Sequence, residues 1–177
     1  MLTSRTITTG ADSDRILSPS DNRTVTVDPL VFTDRWRVRQ YELDVNGHVN
    51  NAVYLNYAEE MAVRHVEATG FGAVWAAAHG GGWVVRHSDV AYHVPALAGD
   101  ELELTVWVEL IKGARAQRRT VISRLPDKVL LAEVVTEWVW VRLSDGRPSP
   151  VPSELVAVAA AVTSATLSKR TSRRPRS

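Results

Sequence analysis

One stretch of helical period followed by four stretches of strand period, joined by turns too short to hold another helix, leaves this chain few ways to fold. Between Val53 and about Thr69, apolar positions recur every three or four residues: Tyr54, Tyr57 and Ala58, Met61 and Ala62, His65 and Val66. That spacing puts one apolar stripe on a helix. Glu60, Arg64 and Glu67 fall on the opposite side, where Glu60 and Arg64 are spaced for an ion pair. Asn50 or Asn51 suits the helix start and Gly70 its end. A short helical piece over Gly72 to His79 follows, broken by Gly80-Gly81-Gly82, which reads as a flexible turn. From Trp83 the period drops to two. Trp83 to Val94 alternates, with Val84, Val90, Tyr92 and Val94 on one side. Leu102, Leu104, Val106, Val108 and Leu110 then alternate with Glu103, Thr105, Trp107, Glu109 and Ile111. Arg115 to Leu125 is a more polar strand, and Val129 to Leu143 a long one. Pro95 to Gly99, Lys112-Gly113-Ala114 and Pro126-Asp127-Lys128 supply the turns. Phe32 to Tyr41 is one further strand ahead of the helix, and Ser153 to Ala161 a closing helical piece. Short turns force antiparallel pairing, and a lone long helix must pack on one face of the sheet. The fold class is therefore α+β: a curved antiparallel sheet of about five strands around one central helix. Trp107 and Ile111 leave apolar groups on the other sheet face, which predicts an oligomer.

The 177 residues suit one domain. Residues 1–28, rich in Ser, Thr, Asp and Arg, read as a disordered leader, 29–162 as the domain, and 163–177 as a basic, disordered tail. A net charge of +1 argues against a nucleic-acid binder. With no cysteine, thiolate catalysis and cysteine metal sites are excluded, and a reducing interior fits. No apolar run reaches membrane-spanning length and the N-terminus lacks a secretion signal, so a cytoplasmic protein is expected.

The densest polar segment lies at the mouth of the predicted helix: Asp44-Val45-Asn46-Gly47-His48-Val49-Asn50-Asn51. A helix start exposes unpaired N–H groups and partial positive charge. An acid and an imidazole beside it could activate a nucleophile and hold an oxyanion. Asp44 is the candidate nucleophile or general base, and the Asn51 backbone amide the oxyanion donor. Each has a structural alternative: an Asp closing a turn with Asn46 and Gly47, and an Asn that merely begins a helix. His48 could relay a proton or be a loop histidine bonded to backbone, and Asn46 could orient water or serve the turn. The five histidines show no metal-ligand spacing, so no metal is expected, and no cofactor.

The order strand, helix, antiparallel sheet, together with this segment, resembles the hotdog acyl thioesterases of the 4-hydroxybenzoyl-CoA thioesterase-like family. In that family an Asp is followed by a Gly three residues on, a Tyr near ten and an acid near fifteen; here these are Asp44, Gly47, Tyr54 and Glu59. The Asp-x-Asn-x-His-Val-Asn-Asn run is also similar to plant acyl-ACP thioesterases. Asp89 to Pro95, Gly99 to Leu102, Ala132 to Trp140 and Gly146-Arg147-Pro148 extend the likeness over roughly Phe32 to Pro152. The resemblance implies a single hotdog unit that hydrolyses acyl-CoA or acyl-ACP, assembled as a homodimer or homotetramer. With it, Asp44 leads a candidate catalytic set completed by Asn46, His48 and Asn51, and Tyr54 and Glu59 are candidate substrate-binding positions; the plant enzymes' four-residue set does not carry over whole. Glu59 could line a neighbouring subunit's site. Lys112 and Arg115, with Arg118 and Arg119 beyond, are candidates for the substrate's phosphates. Two features depart from the plant pattern: Tyr92-His93-Val94-Pro95 holds no additional acid, and one unit stands where those proteins carry two. A hotdog enoyl-thioester hydratase or dehydratase, and a non-catalytic acyl-CoA-binding protein, are the alternatives.

Overall fold

The computed structural model describes residues 31–159, so the expected leader and tail lie outside the described residues. The elements are β1 (Val31–Arg37), a 3-10 turn (Gln40–Glu42), α1 (Asn51–Ala68), α2 (Ala73–Ala78), β2 (Gly81–Tyr92), β3 (Glu101–Lys112), β4 (Arg115–Leu125) and β5 (Leu130–Arg142). Residues 153–159 are helical again, and the remainder of the predicted closing helix lies outside the described residues. All five strands join one antiparallel sheet in the order β1-β3-β4-β5-β2. This is the hotdog arrangement. Among the described residues no helix is long and apolar enough to cross a membrane.

The predicted stripe is the buried face of α1: Tyr54, Tyr57, Ala58, Met61, Ala62 and His65. It packs on Leu102, Leu104 and Val106 of β3, Ile122 of β4 and Ala132 of β5. Burying a large apolar side chain is worth about 1.5–3 kcal/mol, so Met61, Leu102, Leu104 and Ile122, all closed to solvent, dominate this contact. The helix starts where Asn50 accepts a hydrogen bond from Ala52 N–H at 2.9 Å, and ends before Gly70, whose φ of 81° reverses the chain.

Four sequence expectations need correction. The first strand stops at Arg37 instead of running to Tyr41, because Arg39 N–H turns back to the Glu42 carboxylate at 2.7 Å. Arg64 does not pair with Glu60; it pairs with Asp34 of β1 and lies over the Trp36 ring. The alternation of β3 breaks near its end, where Val108 faces Arg118 but Leu110 faces Gln117, leaving Glu109 as an extra residue. One extra residue inverts the phase of everything after it. Leu110 is therefore turned outward and half-exposed, while Ile111 turns inward to a second apolar cluster with Ala76, Trp140 and Val151. Gly81, placed in a turn by the sequence, already belongs to β2. It is a close-packing glycine, since a Cβ there would overlap the Trp140 ring. β2 forms one margin of the sheet, and its outer edge pairs with no other strand among the described residues.

Candidate active site

The polar segment ahead of α1 forms a tight loop. Asp44 N–H donates to the His48 carbonyl at 2.7 Å, and Gly47 N–H to the Asp44 carbonyl at 3.1 Å. Gly47 sits at φ 76°, a left-handed position that favours glycine. The loop is tied outward as well. Asn50 N–H bonds the Glu42 carbonyl and Val49 N–H the Ala96 carbonyl, both at 2.9 Å, and His48 bridges to Leu97. The start of α1 is thus anchored to the turn before β3.

Within this loop the Asp44 Oδ1 accepts hydrogen bonds from the backbone amides of Asn46, at 2.8 Å, and His48, at 3.2 Å. These bonds, the one from Asn46 foremost, hold its carboxyl below the usual carboxylate range against the opposing effect of desolvation. Asp44 is therefore ionised at neutral pH. The turn-closing reading and the reactive reading do not compete, since the bonds that close the turn also keep the carboxylate charged and partly exposed. Asn46 contributes its amide to this arrangement while the residue itself is exposed, and His48 is partly buried. Asn51 is the first residue of α1, and its N–H has no acceptor among the described residues. Its carbonyl accepts from the Tyr92 hydroxyl at 2.9 Å, which ties the helix start to β2. Asp44, Asn46, His48 and Asn51 are thus brought to one loop and helix entrance.

The remaining predicted residues are not gathered there. Tyr54 is 2% exposed, and its hydroxyl accepts from Ala96 N–H at 3.1 Å, so it holds up the loop from below. Glu59 lies eight residues beyond Asn51, about 12 Å along the helix, at an open cavity of about 470 Å³ lined by α1, α2, β2, β4 and β5. Lys112 and Arg115 face each other across the β3–β4 hairpin. The site adjoins the opposite end of β3, where Val38 N–H meets the Asp100 carbonyl. At about 3.3 Å per residue, the length of β3 places the hairpin some 35 Å from that end. Within one chain Lys112 and Arg115 do not join Asp44, and Arg115 lies against Glu137 at 3.9 Å. Arg119 is taken up by Glu109 and Glu133 on the outer sheet face. Arg118 points the other way, beneath α1, to His65. Among the described residues no cluster of three or more His, Asp or Glu could hold a metal ion.

One buried acid escaped sequence reasoning. Glu42, 6% exposed, accepts from the Tyr57 hydroxyl at 2.7 Å, from Arg39 N–H at 2.7 Å and from Arg39 Nη1 at 3.2 Å. The three-residue spacing of Arg39 and Glu42 was available in the sequence. The partnership with Tyr57, fifteen residues away, was not.

Residues 38–159 match the thioesterase-like superfamily. The long-chain acyl-CoA thioesterase FadM of Escherichia coli is 30% identical over 119 residues, 67% of this chain and 89% of FadM. The chloroplastic acyl-acyl carrier protein thioesterase ATL2 of Arabidopsis thaliana is 28% identical over 67% of this chain and 63% of its own length. Among solved structures, the probable thioesterase YbaW of Escherichia coli superposes with a TM-score of 0.65 at 29% identity, over 72% of this chain and 95% of that one. The 12:0-ACP thioesterase of Umbellularia californica shares the fold, with a TM-score of 0.67 at 20% identity, over 75% of this chain and 50% of that one. With the match spanning most of the folded region, the chain belongs to the thioesterase-like superfamily and is a hotdog-fold thioesterase.

Proposed function

We propose that the chain hydrolyses an acyl thioester, on coenzyme A or an acyl carrier protein, to the free acid and thiol, with Asp44 as its reactive carboxylate. The observation that carries this reading is the ionised Asp44 carboxylate, gripped by the Asn46 and His48 amides beside the open N–H of Asn51. Two routes use it. Asp44 attacks the carbonyl carbon, expels the thiolate and leaves a mixed anhydride that water then opens. Alternatively, Asp44 takes a proton from a water molecule that attacks directly. In both, charge develops on the carbonyl oxygen, where the Asn51 amide and the helix start oppose it. The proton lost by the attacking water passes through His48 to the thiolate, giving the free thiol, and the exposed Asn46 amide orients that water.

The active assembly in this reading is a homodimer. The outer edge of β2 is twelve residues long, and it carries the exposed Val84, Val85 and Tyr92. An open edge of that kind favours pairing with another strand. A second chain is also the route by which Lys112, Arg115 and Glu59 could serve a site they do not reach in their own chain. The absence of cysteine from the 177 residues suits the cytoplasm as its compartment.

Asp44→Asn tests the assignment. The amide oxygen keeps an acceptor for both backbone donors, so the loop survives while the charge is lost. Thiol release should fall by about 100- to 10,000-fold, with the melting temperature close to that of the unaltered protein. Turnover that persists in this variant would sink the proposal. Label found in the Asp44 carboxylate after a single turnover in heavy-oxygen water identifies the anhydride route, with water opening the anhydride at the Asp44 carbonyl.

A further inference from the structure

The cavity beside the second half of α1 has a lining that a plain hydrocarbon does not call for. Its walls are largely apolar, with Ala62, Val66 and Phe71 among them. Besides the carboxylates of Glu59 and Glu67, three groups break that pattern, and these three are hydrogen-bond donors. Arg118 lies on the inward face of β4, where one Nη donates to His65 Nδ1 at 2.9 Å; arginine can only donate, so the imidazole nitrogen accepts. Its neighbour Arg119, on the outer face, is paired with Glu109 and Glu133. Arg118 itself forms no ion pair among the described residues, although Glu59 and Glu67 also line the cavity. Burial lowers its pKa to about 10, which still leaves it a cation at neutral pH. The indole N–H groups of Trp83 and Trp138, both residues of the same lining, are buried with no hydrogen-bond partner.

A half-buried cation with no counter-ion among the described residues and two buried donors without acceptors are costly unless a ligand supplies the acceptors. A methyl-ended chain would offer an acceptor to none of the three. We propose that this cavity receives the acyl group of the substrate and that Arg118, with the Trp83 and Trp138 indoles, selects acyl groups carrying an acceptor oxygen at the inner end over plain alkyl chains. A hydroxyl and a carboxylate share that chemistry. A site built to hydrogen-bond an oxygen discriminates strongly against the analogue lacking it. The proposal rests on the thioesterase reading for the identity of the ligand as an acyl group, but the donor set stands apart from Asp44.

The test measures binding through tryptophan fluorescence, using the full-length Asp44→Asn chain so that the esters persist. The probes are CoA thioesters from hexanoyl to dodecanoyl, each length ending in methyl, hydroxyl or carboxylate. Oxygen-ended esters should bind at least about tenfold tighter than methyl-ended esters of the best length, as one charge-assisted bond allows. Arg118→Met should remove most of that preference while methyl-ended binding holds or improves. A carboxylate that outbinds the hydroxyl assigns the preference to charge pairing, and equal binding assigns it to a neutral acceptor; both support the proposal. A preference for methyl ends, or an oxygen preference that survives Arg118→Met, overturns it. If circular dichroism shows that Arg118→Met does not fold, Trp138→Phe takes its place. That variant should weaken the hydroxyl preference, and an unchanged preference again overturns the proposal. Failure of the unaltered protein to release thiol from any ester would defeat the hydrolytic reading, yet the binding preference would still be decided by these measurements.

Discussion

Tyr57→Phe removes one oxygen atom from the protein and should cost about 2 kcal/mol. The magnitude comes from the surroundings of that oxygen. The hydroxyl donates to Glu42 Oε2 at 2.7 Å, and both residues are nearly closed to water, at 5% and 6% exposure. A buried hydrogen bond to a charged group contributes about 1.5–3 kcal/mol. The loss falls below the top of that range because Glu42 keeps its bonds to Arg39, at 2.7 Å and 3.2 Å. No cavity opens, since the ring keeps its edge contact with Trp36 at 5.3 Å between centroids. For a chain of this size, about 2 kcal/mol corresponds to a fall in melting temperature of roughly 4–8 °C. Burial first, and the bond to Glu42 next, raise the Tyr57 hydroxyl above its ordinary pKa of 10.0. A group whose folded pKa is raised gives its full contribution below the unfolded pKa and loses it only as pH climbs through the folded value. The penalty should therefore be constant from neutral pH up to about 10. Urea unfolding of the single variants and of Tyr57→Phe with Glu42→Gln closes a double-mutant cycle. A penalty under about 0.5 kcal/mol, the size of an ordinary surface substitution, or absent coupling to Glu42, would refute this account of how the helix is tied to the loop carrying Asp44.

The pH dependence of kcat/KM should show its acid limb below 3.8, the ordinary aspartate value, because the Asn46 amide and its neighbours lower the Asp44 pKa. Activity that depends on the carboxylate is then present above this limb and lost as pH falls through it; a limb near 6.5, the ordinary histidine value, would point to an imidazole base instead. Gly81→Ala should destabilise the fold by about 1–3 kcal/mol, because the new methyl meets the Trp140 ring; a denaturant midpoint equal to that of the unaltered protein would contradict the packing. Replacing Lys112 and Arg115 together by Ala should raise KM for CoA esters and leave kcat unchanged, since the pair lies far from Asp44 within one chain; a fall in kcat with constant KM would mean these residues reach the reacting atoms.

Much of this was legible in the sequence because it depends on short-range physics. The stripe from Tyr54 to His65 is buried as its spacing implies, and Asn50 caps the helix it precedes. The crowding of Asp44, Asn46, His48 and Asn51 into eight residues left little room for them to separate. What failed did so where one residue changes a phase. Leu110 and Ile111 exchanged faces because Glu109 bulges out of β3, and nothing in the residue types marks where a bulge falls. Arg118 and Arg119 look alike in sequence, yet strand alternation sends one to the outer carboxylates and the other under α1. That Lys112 and Arg115 lie far from Asp44 within one chain was equally hidden, because charge and turn position are visible in a sequence and distance is not.

The sequence by itself determined the class of fold and the place of the polar loop ahead of the helix. Periodicity, turn residues and helix capping act over a few neighbours and need no knowledge of the rest of the chain. The tertiary structure alone decided that Asp44 sits in a loop stapled to the turn before β3, that Glu42 is held by Tyr57, and that a cavity with unpaired donors lies along α1. Those outcomes depend on register, bulges and strand order, which bring together residues tens of positions apart. Such contacts are settled by packing the whole sheet against the helix, and no local pattern of residues records them.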